Sequence, residues 1–309
     1  MQTVIITGAA GLVGQNLIVR LKSETGFRII AIDKHPTNAA LLAKLHPDLT
    51  VIEADLASRG DWMAHFADAD AVVLNQAQIG GLREGEFERN NVTATRNILQ
   101  AMQSHNVPYL VHISSSVVNS CAHDFYTETK KAQEALVVAS PVNQVVLRPT
   151  LMFGWFDRKH LGWLGRFMKR VPIFPVPNHG RYVRQPLYVG DFVNIIIACL
   201  KEKRTGRFDI SGMEHIDYID IIRALRQVLR SRAVIIKIPY AIFYILLKIY
   251  AVFDKTPPFT TSQLRALVIP ETFPVIDWPR TFNVQPTPFI EAIEESFNHP
   301  IYSDIVLDF

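Results

Sequence analysis

Tyr126 and Lys130 stand four residues apart, ten residues beyond the end of the serine run Ser114-Ser115-Ser116. Residues spaced by four share one face of a helix, so a phenol and an ammonium point into one pocket. An isolated phenol has a pKa of about 10 and is a poor base at neutral pH, but a neighbouring cation favours the phenolate. Tyr126 is therefore read as the group that moves a proton, Lys130 as the cation that makes this feasible, and Ser116 as the hydroxyl that holds the substrate oxygen while charge develops. The same Tyr-x-x-x-Lys spacing also arises by chance on helices, so the reading depends on its surroundings.

Those surroundings begin at the first residues. Thr7-Gly8-Ala9-Ala10-Gly11-Leu12-Val13-Gly14 places glycines three residues apart between an apolar run, Val4 to Thr7, and a helical pattern, Leu12 to Lys22. Glycine permits a tight turn and close backbone approach, and the helix N-terminus offers unpaired N–H groups to a pyrophosphate. In a strand-turn-helix setting this spacing points to a dinucleotide. Asp33 follows Gly8 by 25 residues, near the offset of roughly 20 at which an acid binds the adenosine ribose diol. Its carboxylate would repel a 2′-phosphate and so favours NAD over NADP, with Lys34 and His35 partly offsetting the repulsion. Asp55 either meets the adenine edge or caps the next helix. With NAD present, Lys130 also reaches the nicotinamide ribose, and the oxidised ring adds a second positive charge beside Tyr126.

The elements that must position these groups read as an α/β fold. Arg28 to Asp33, Thr50 to Glu53, Ala71 to Asn75, Tyr109 to Ser114 and Gln144 to Arg148 are five further strands, mostly continuous apolar runs with helical stretches between most of them. Such runs belong to a parallel sheet covered on both faces, a Rossmann-type doubly wound domain. After Pro149, glycines and prolines break the rhythm, and strand and helix patterns return over 187–200 and 207–211. The expected division is 1–150 plus about 186–211 for the dinucleotide-binding domain, and about 151–185 with 212–309 for a smaller, discontinuous substrate domain. The apolar end, Ile301 to Phe309, is expected to dock.

With 309 residues, 49% hydrophobic and 20% charged, the chain is expected to be a globular protein with a large core. A net charge of +3 is too slight for nucleic acid and still suits small anionic ligands. Two cysteines, Cys121 and Cys199, give no disulfide framework, and the start lacks a signal-peptide pattern, so a cytoplasmic location is expected. No metal is expected. Ala233 to Phe253 is mostly apolar, but Lys237, Pro239 and Lys248 interrupt it, leaving less than the roughly 20 residues of a membrane span. The run reads either as a buried or partner-facing helix or as peripheral membrane contact through 235–253.

With these motifs assembled, the chain resembles the short-chain dehydrogenase/reductase superfamily, in its extended branch of NAD-dependent epimerases and dehydratases acting on nucleotide sugars. Asn90-Asn91-Val92, Leu147-Arg148-Pro149-Thr150 and Tyr188-Val189-Gly190-Asp191 extend the resemblance over nearly the whole length. It implies cofactor contacts at Gly8, Gly11, Leu12, Val13, Gly14, Asp33, Asp55, Leu56, Ala77, Asn91, Tyr126, Lys130, Pro149 and Leu151. It also implies a diphosphate contact at Arg184 and a homodimer through two helices of the nucleotide domain, while Ser116 is read from its place after the strand as a substrate contact, and Gln78, where the chain departs from that branch, as presenting an amide to the substrate.

The chain departs from that branch in places. The gap from Ser116 to Tyr126 is short, no Asp-Glu pair follows Ser116, which disfavours dehydration, and Asn75-Gln76-Ala77-Gln78 replaces the usual His-Leu-Ala-Ala. Thr129 stands where a serine is frequent. The sequence thus predicts NAD(H)-dependent hydride transfer at a carbinol or keto carbon of a nucleotide sugar, as a 4-epimerase or 4-keto reductase. Arg181, Arg184 and the basic segment Arg158 to Arg170 suit the diphosphate. The alternatives are a reductase or dehydrogenase of an apolar alcohol, of hydroxysteroid or dihydroflavonol type, suited by Leu151 to Phe156, and a non-catalytic cofactor-binding scaffold.

Overall fold

The computed structural model describes residues 1–253, 260–270 and 272–308. Phe309, at the end of the expected docking segment, and part of the span 212–309 lie outside the described residues. The first half alternates β1 (Gln2–Thr7), α1 (Leu12–Ser23), β2 (Phe27–Asp33), α2 (Pro36–Leu45), β3 (Thr50–Glu53) and β4 (Ala71–Leu74). It continues through α3 (Glu84–Phe87), α4 (Ala94–Ser104), β5 (Tyr109–Ile113), α5 (Phe125–Ala139) and β6 (Asn143–Pro149). Apolar side chains on both faces of β1, β4 and β5 are buried, because helices cover the sheet on each side.

The main sheet is parallel and seven-stranded, in the order β11-β6-β5-β4-β1-β2-β3, with β11 (Gly206–Ile210) joining at the edge beside β6. The chain order reverses between β1 and β4, and the carboxyl ends of those strands form the crevice where such sheets hold ligands. Gly8 and Gln76 lie at that reversal. Gly8 has φ +61°, and a Cβ there would fall 2.7 Å from Gln76 Cα. Between α3 and α4 the chain widens into a π-helical stretch, Glu88–Thr93, a distortion that often accompanies functional sites.

Beyond β6, three two-stranded sheets form a smaller layer. β7 (Met152–Phe153) pairs with β10 (Leu187–Tyr188), β9 (Val183–Arg184) with β12 (Ile216–Asp217), and β8 (Ile173–Pro177) with β13 (Val234–Ile238). The helices here are α6 (Leu161–Arg170), α7 (Val189–Glu202), α8 (Tyr218–Val228), α9 (Tyr240–Phe253), α10 (Thr261–Leu267), α11 (Trp278–Phe282) and α12 (Phe289–Asn298). The apolar run 233–253 is thus not one helix. Pro239 separates the strand β13 from α9, and α9 is not a buried helix, since Ile242, Ile245, Leu246 and Ile249 are exposed. The end of the chain docks: Leu307 is buried with Trp155 and Phe156, and Asn38 and Asp308 exchange two hydrogen bonds of 2.6 and 2.9 Å.

Candidate active site

α5 brings Tyr126 and Lys130 to the carboxyl end of β5. Asp124 starts the helix by accepting from the Thr127 backbone N–H at 3.0 Å, a side-chain cap that satisfies one orphan donor. Burial raises the Tyr126 phenol above its ordinary pKa, a hydrogen bond with the Ser115 hydroxyl opposes this, and the Asp124 charge adds to the rise. The hydroxyl paired with Tyr126 is therefore that of Ser115. Ser116 opens a short 3₁₀ turn, Ser116–Asn119, and Ser114 is turned inward, donating to Glu134 at 2.6 Å. A run of three serines at a strand end gives the sequence no means to rank its members.

Lys130 is buried. Its ammonium donates to the Ile113 carbonyl at 2.9 Å and to Gln133 Oε1 at 2.6 Å. Burial pushes it down to about 7, against the attraction of Glu134. Glu134 is itself held below its ordinary pKa despite burial, chiefly by Arg148 with help from Ser114, and the Arg148–Glu134 pair measures 2.5 Å. The sequence expects the Lys130 charge to act on the Tyr126 phenol. The structure aims it instead at the strand end and at Gln133, a residue that sequence reasoning missed, although its position three residues after Lys130 places it on the same helical side.

Gln133 belongs to a connected polar floor. Its amide nitrogen donates to Thr95 Oγ1 at 2.9 Å, which also accepts from Gln76 at 3.2 Å, and the Thr7 hydroxyl reaches Gln76 Oε1 at 2.5 Å. Asn91, fully buried, accepts from the Gln78 backbone N–H at 2.6 Å and donates to Thr129 at 3.0 Å. Asn91 thus clamps the loop after β4 to α5. The Gln78 amide is held in place: its oxygen accepts from Asn90 at 2.8 Å, and its nitrogen bonds the Gly80 carbonyl. Ala77 is exposed at the crevice.

The glycine loop fits a dinucleotide. A Cβ on Gly14 would lie 2.5 Å from the Ala9 carbonyl oxygen, whereas one on Gly11 would meet only the Gly8 oxygen, at 3.4 Å. Gly14 thus secures helix-strand packing, and Gly11 leaves room on the ligand side. No side chain caps α1 and its first turn carries no acid, so the N–H groups of Leu12, Val13 and Gly14 face an incoming pyrophosphate with the helix dipole behind them. Asp33 accepts from the Ala10 N–H at 2.9 Å and from the His35 N–H at 2.9 Å, which fixes its carboxylate beside the loop where a ribose diol would lie. Asp55 caps no helix, because Gly60 precedes the next one. It accepts from the Ala57 N–H at 3.0 Å and pairs with Arg89 at 2.6 Å, while Leu56 is buried beneath it.

On the other side, Pro149 ends β6 and Leu151 begins a cavity of about 560 Å³. Leu161, Trp163, Leu164, Tyr218, Leu267 and Phe273 line it, with Arg158, Lys159, His160 and Arg184 also present. Arg184 donates to the Ile269 carbonyl at 2.6 Å and to the Leu267 carbonyl, so the expected diphosphate ligand braces the cavity wall. Among the described residues there is no group of acids, histidines and cysteines that would hold a metal, and no helix long and apolar enough to cross a membrane.

The profile described as "NAD dependent epimerase/dehydratase family" matches residues 4–210. A 3-beta-hydroxysteroid dehydrogenase of Mycolicibacterium neoaurum is 28% identical over 183 residues, 50% of this chain and 49% of that protein. The chain thus spans about half the length of the first curated relatives that it matches. A ceramide reductase of Caulobacter vibrioides is 24% identical over 76% of this chain and 73% of that protein. In fold, the chain is similar to the UDP-glucuronic acid 4-epimerase of Bacillus cereus solved with NAD, at a TM-score of 0.70 and 19% identity, over 96% of this chain and 97% of that one.

Proposed function

We propose that this chain, which belongs to the NAD dependent epimerase/dehydratase family, interconverts a carbinol and a ketone on a nucleotide-linked sugar, at C4 of a hexose, as an epimerase or a 4-keto reductase. The observation that carries the reading is the half-buried phenol of Tyr126, beside the Ser115 hydroxyl and one helical turn from Lys130, at the carboxyl end of β5. NAD supplies or accepts the hydride. Tyr126 takes the hydroxyl proton in oxidation and returns it in reduction. Ser115 and Ser116 present hydroxyls to the substrate oxygen, and Lys130, anchored through Gln133, places its amine beneath the site. The expected cofactor contacts at Pro149, Leu151 and Ala77 belong to this proposal, as do a homodimer through two helices of the nucleotide domain and a cytoplasmic location.

Arg158 and Lys159 at the cavity support a diphosphate. A specific observation favours a second reading, an apolar alcohol or ketone: the cavity walls are mostly aliphatic and aromatic, and Arg184 is bonded to backbone carbonyls. Melting of the NAD-loaded protein with UDP-glucuronic acid, UDP-N-acetylglucosamine and a sterol separates them, since a ligand of the folded state raises the midpoint. A rise with a nucleotide sugar, followed by turnover that Tyr126→Phe lowers by roughly 10²–10⁴ while NAD affinity is unchanged, is the expected result. A rise with the sterol alone transfers the site to the apolar reading, and full activity of the variant removes Tyr126 from the mechanism.

A further inference from the structure

Helix α9 presents its apolar side to the outside. Ile242, Ile245, Leu246, Ile249 and Val252 recur three and four residues apart, the spacing of one helical face, and they are 50% to 77% exposed. The opposite side, Phe243, Tyr244 and Leu247, is half buried, packed beside α10, where Arg265 donates to the Tyr244 hydroxyl at 3.1 Å. The amphipathic pattern is therefore turned over relative to a helix that covers a core. Lys248 borders the stripe, with its ammonium 5.8 Å from the Tyr244 ring centroid, and its long stem lets the charge reach an aqueous boundary while the carbons stay in an apolar layer.

Charge selects the occupant. From Ala224 to Val252 the chain carries Arg226, Arg230, Arg232, Lys237 and Lys248, with no Asp or Glu, whereas Arg223 just before them pairs with Asp220 at 2.8 Å. A second copy docked about a two-fold axis would set this basic stretch against itself. A layer of anionic headgroups neutralises it, and an apolar stripe with basic borders lies in the plane of such a layer.

We propose that α9 docks this protein on an anionic lipid bilayer, with its exposed stripe at the acyl boundary and Lys237 and Lys248 among the headgroups. At 14 residues the helix rests on the surface and does not span it. α9 packs on α10, whose Gln263 and Leu267 line the 560 Å³ cavity, so the bilayer borders one wall of the substrate site. The proposal stands on α9 alone and is independent of which substrate fills that cavity.

Flotation of the full chain with vesicles of phosphatidylcholine, with and without phosphatidylglycerol, tests it, together with the double variant Ile245→Ser/Ile249→Ser. The expected result is co-flotation with the anionic vesicles and a bound fraction that falls about tenfold or more in the variant, since two exposed isoleucines leave the acyl boundary. Melting and NAD binding of the variant should match the parent, which separates the loss from misfolding. The proposal is overturned if the full chain floats with neither vesicle or if the variant floats as well as the parent. It is equally overturned if the variant changes a dimer to a monomer in sedimentation while flotation is unchanged, which assigns the stripe to a second copy.

Discussion

The crevice at the ends of β1, β4 and β5 and the lobe around α6, α9 and α10 handle polar and apolar groups in opposite ways. In the crevice Thr7, Gln76, Asn91, Thr95, Lys130 and Gln133 bond to one another in a connected floor, and the backbone approaches so closely at Gly8 that no side chain fits. In the lobe Arg184 is braced by backbone carbonyls, Leu151 lies half open, and α9 faces outward. A satisfied buried network specifies one geometry, because each unpaired member would cost about 1–3 kcal/mol. A cavity walled by apolar side chains tolerates change of volume and shape. On the proposed function, chemistry falls to the rigid half and substrate choice to the adaptable half.

The largest effect that would break this contrast is on stability. In Gly8→Ala, a methyl must be placed 2.7 Å from Gln76 Cα at φ +61°, and both the strained backbone and the clash disfavour the fold. A loss of about 3 kcal/mol is expected, a fall of several degrees in the melting midpoint, with NAD binding reduced as the loop shifts. Leu151→Ala, at a residue 41% exposed on the cavity rim, should lose less than about 1 kcal/mol. Equal losses by thermal melting would refute the division between the halves.

A smaller effect sharpens the same contrast within the cofactor site. Removing the Asp33 carboxylate removes two backbone hydrogen bonds of 2.9 Å and the repulsion toward a 2′-phosphate. Asp33→Ala is expected to lower the NAD to NADP affinity ratio by about tenfold to a hundredfold, measured by titration of each cofactor. An unchanged ratio would take Asp33 out of cofactor choice.

The two halves also differed in how far the sequence revealed them. Five of the six strands read from the first half lie within one residue of the observed ones at each end, and the first starts two residues earlier, at Gln2, because buried parallel strands are written as short apolar runs bounded by turns. The glycine loop, Asp33 and the Tyr126/Lys130 pair were legible because local geometry alone places them. Gln133, Thr95 and the preference for Ser115 over Ser116 were not legible, since each depends on which side chains converge across three separate elements. The intraprotein partners of Arg184 and Gln78 were not legible either, because the Ile269 carbonyl and the Asn90 amide come near them only on folding.

The smallest effect is one of pH, and it tests whether the floor beneath Tyr126 is as buried as its hydrogen bonds imply. Lys130 is pushed down to about 7, while an unfolded lysine titrates near 10.4. Between those values the unfolded chain binds the extra proton, so this group makes stability rise with pH, by at most about 1.4 kcal/mol per unit. His46 and His112 are lowered from 6.5 by burial and have their effect below the window. Cys199 is raised to about 12 and destabilises only above the ordinary thiol range. Lys203 is also lowered by burial and adds a slope of the same sign, so between about pH 7 and 8.5 the Lys130 share is the part that its removal takes away. Denaturant unfolding of the cofactor-free protein across that interval should show a positive slope that Lys130→Met reduces. A flat parent profile would mean that water reaches the ammonium, and the satisfied, rigid crevice would lose its main distinction from the lobe.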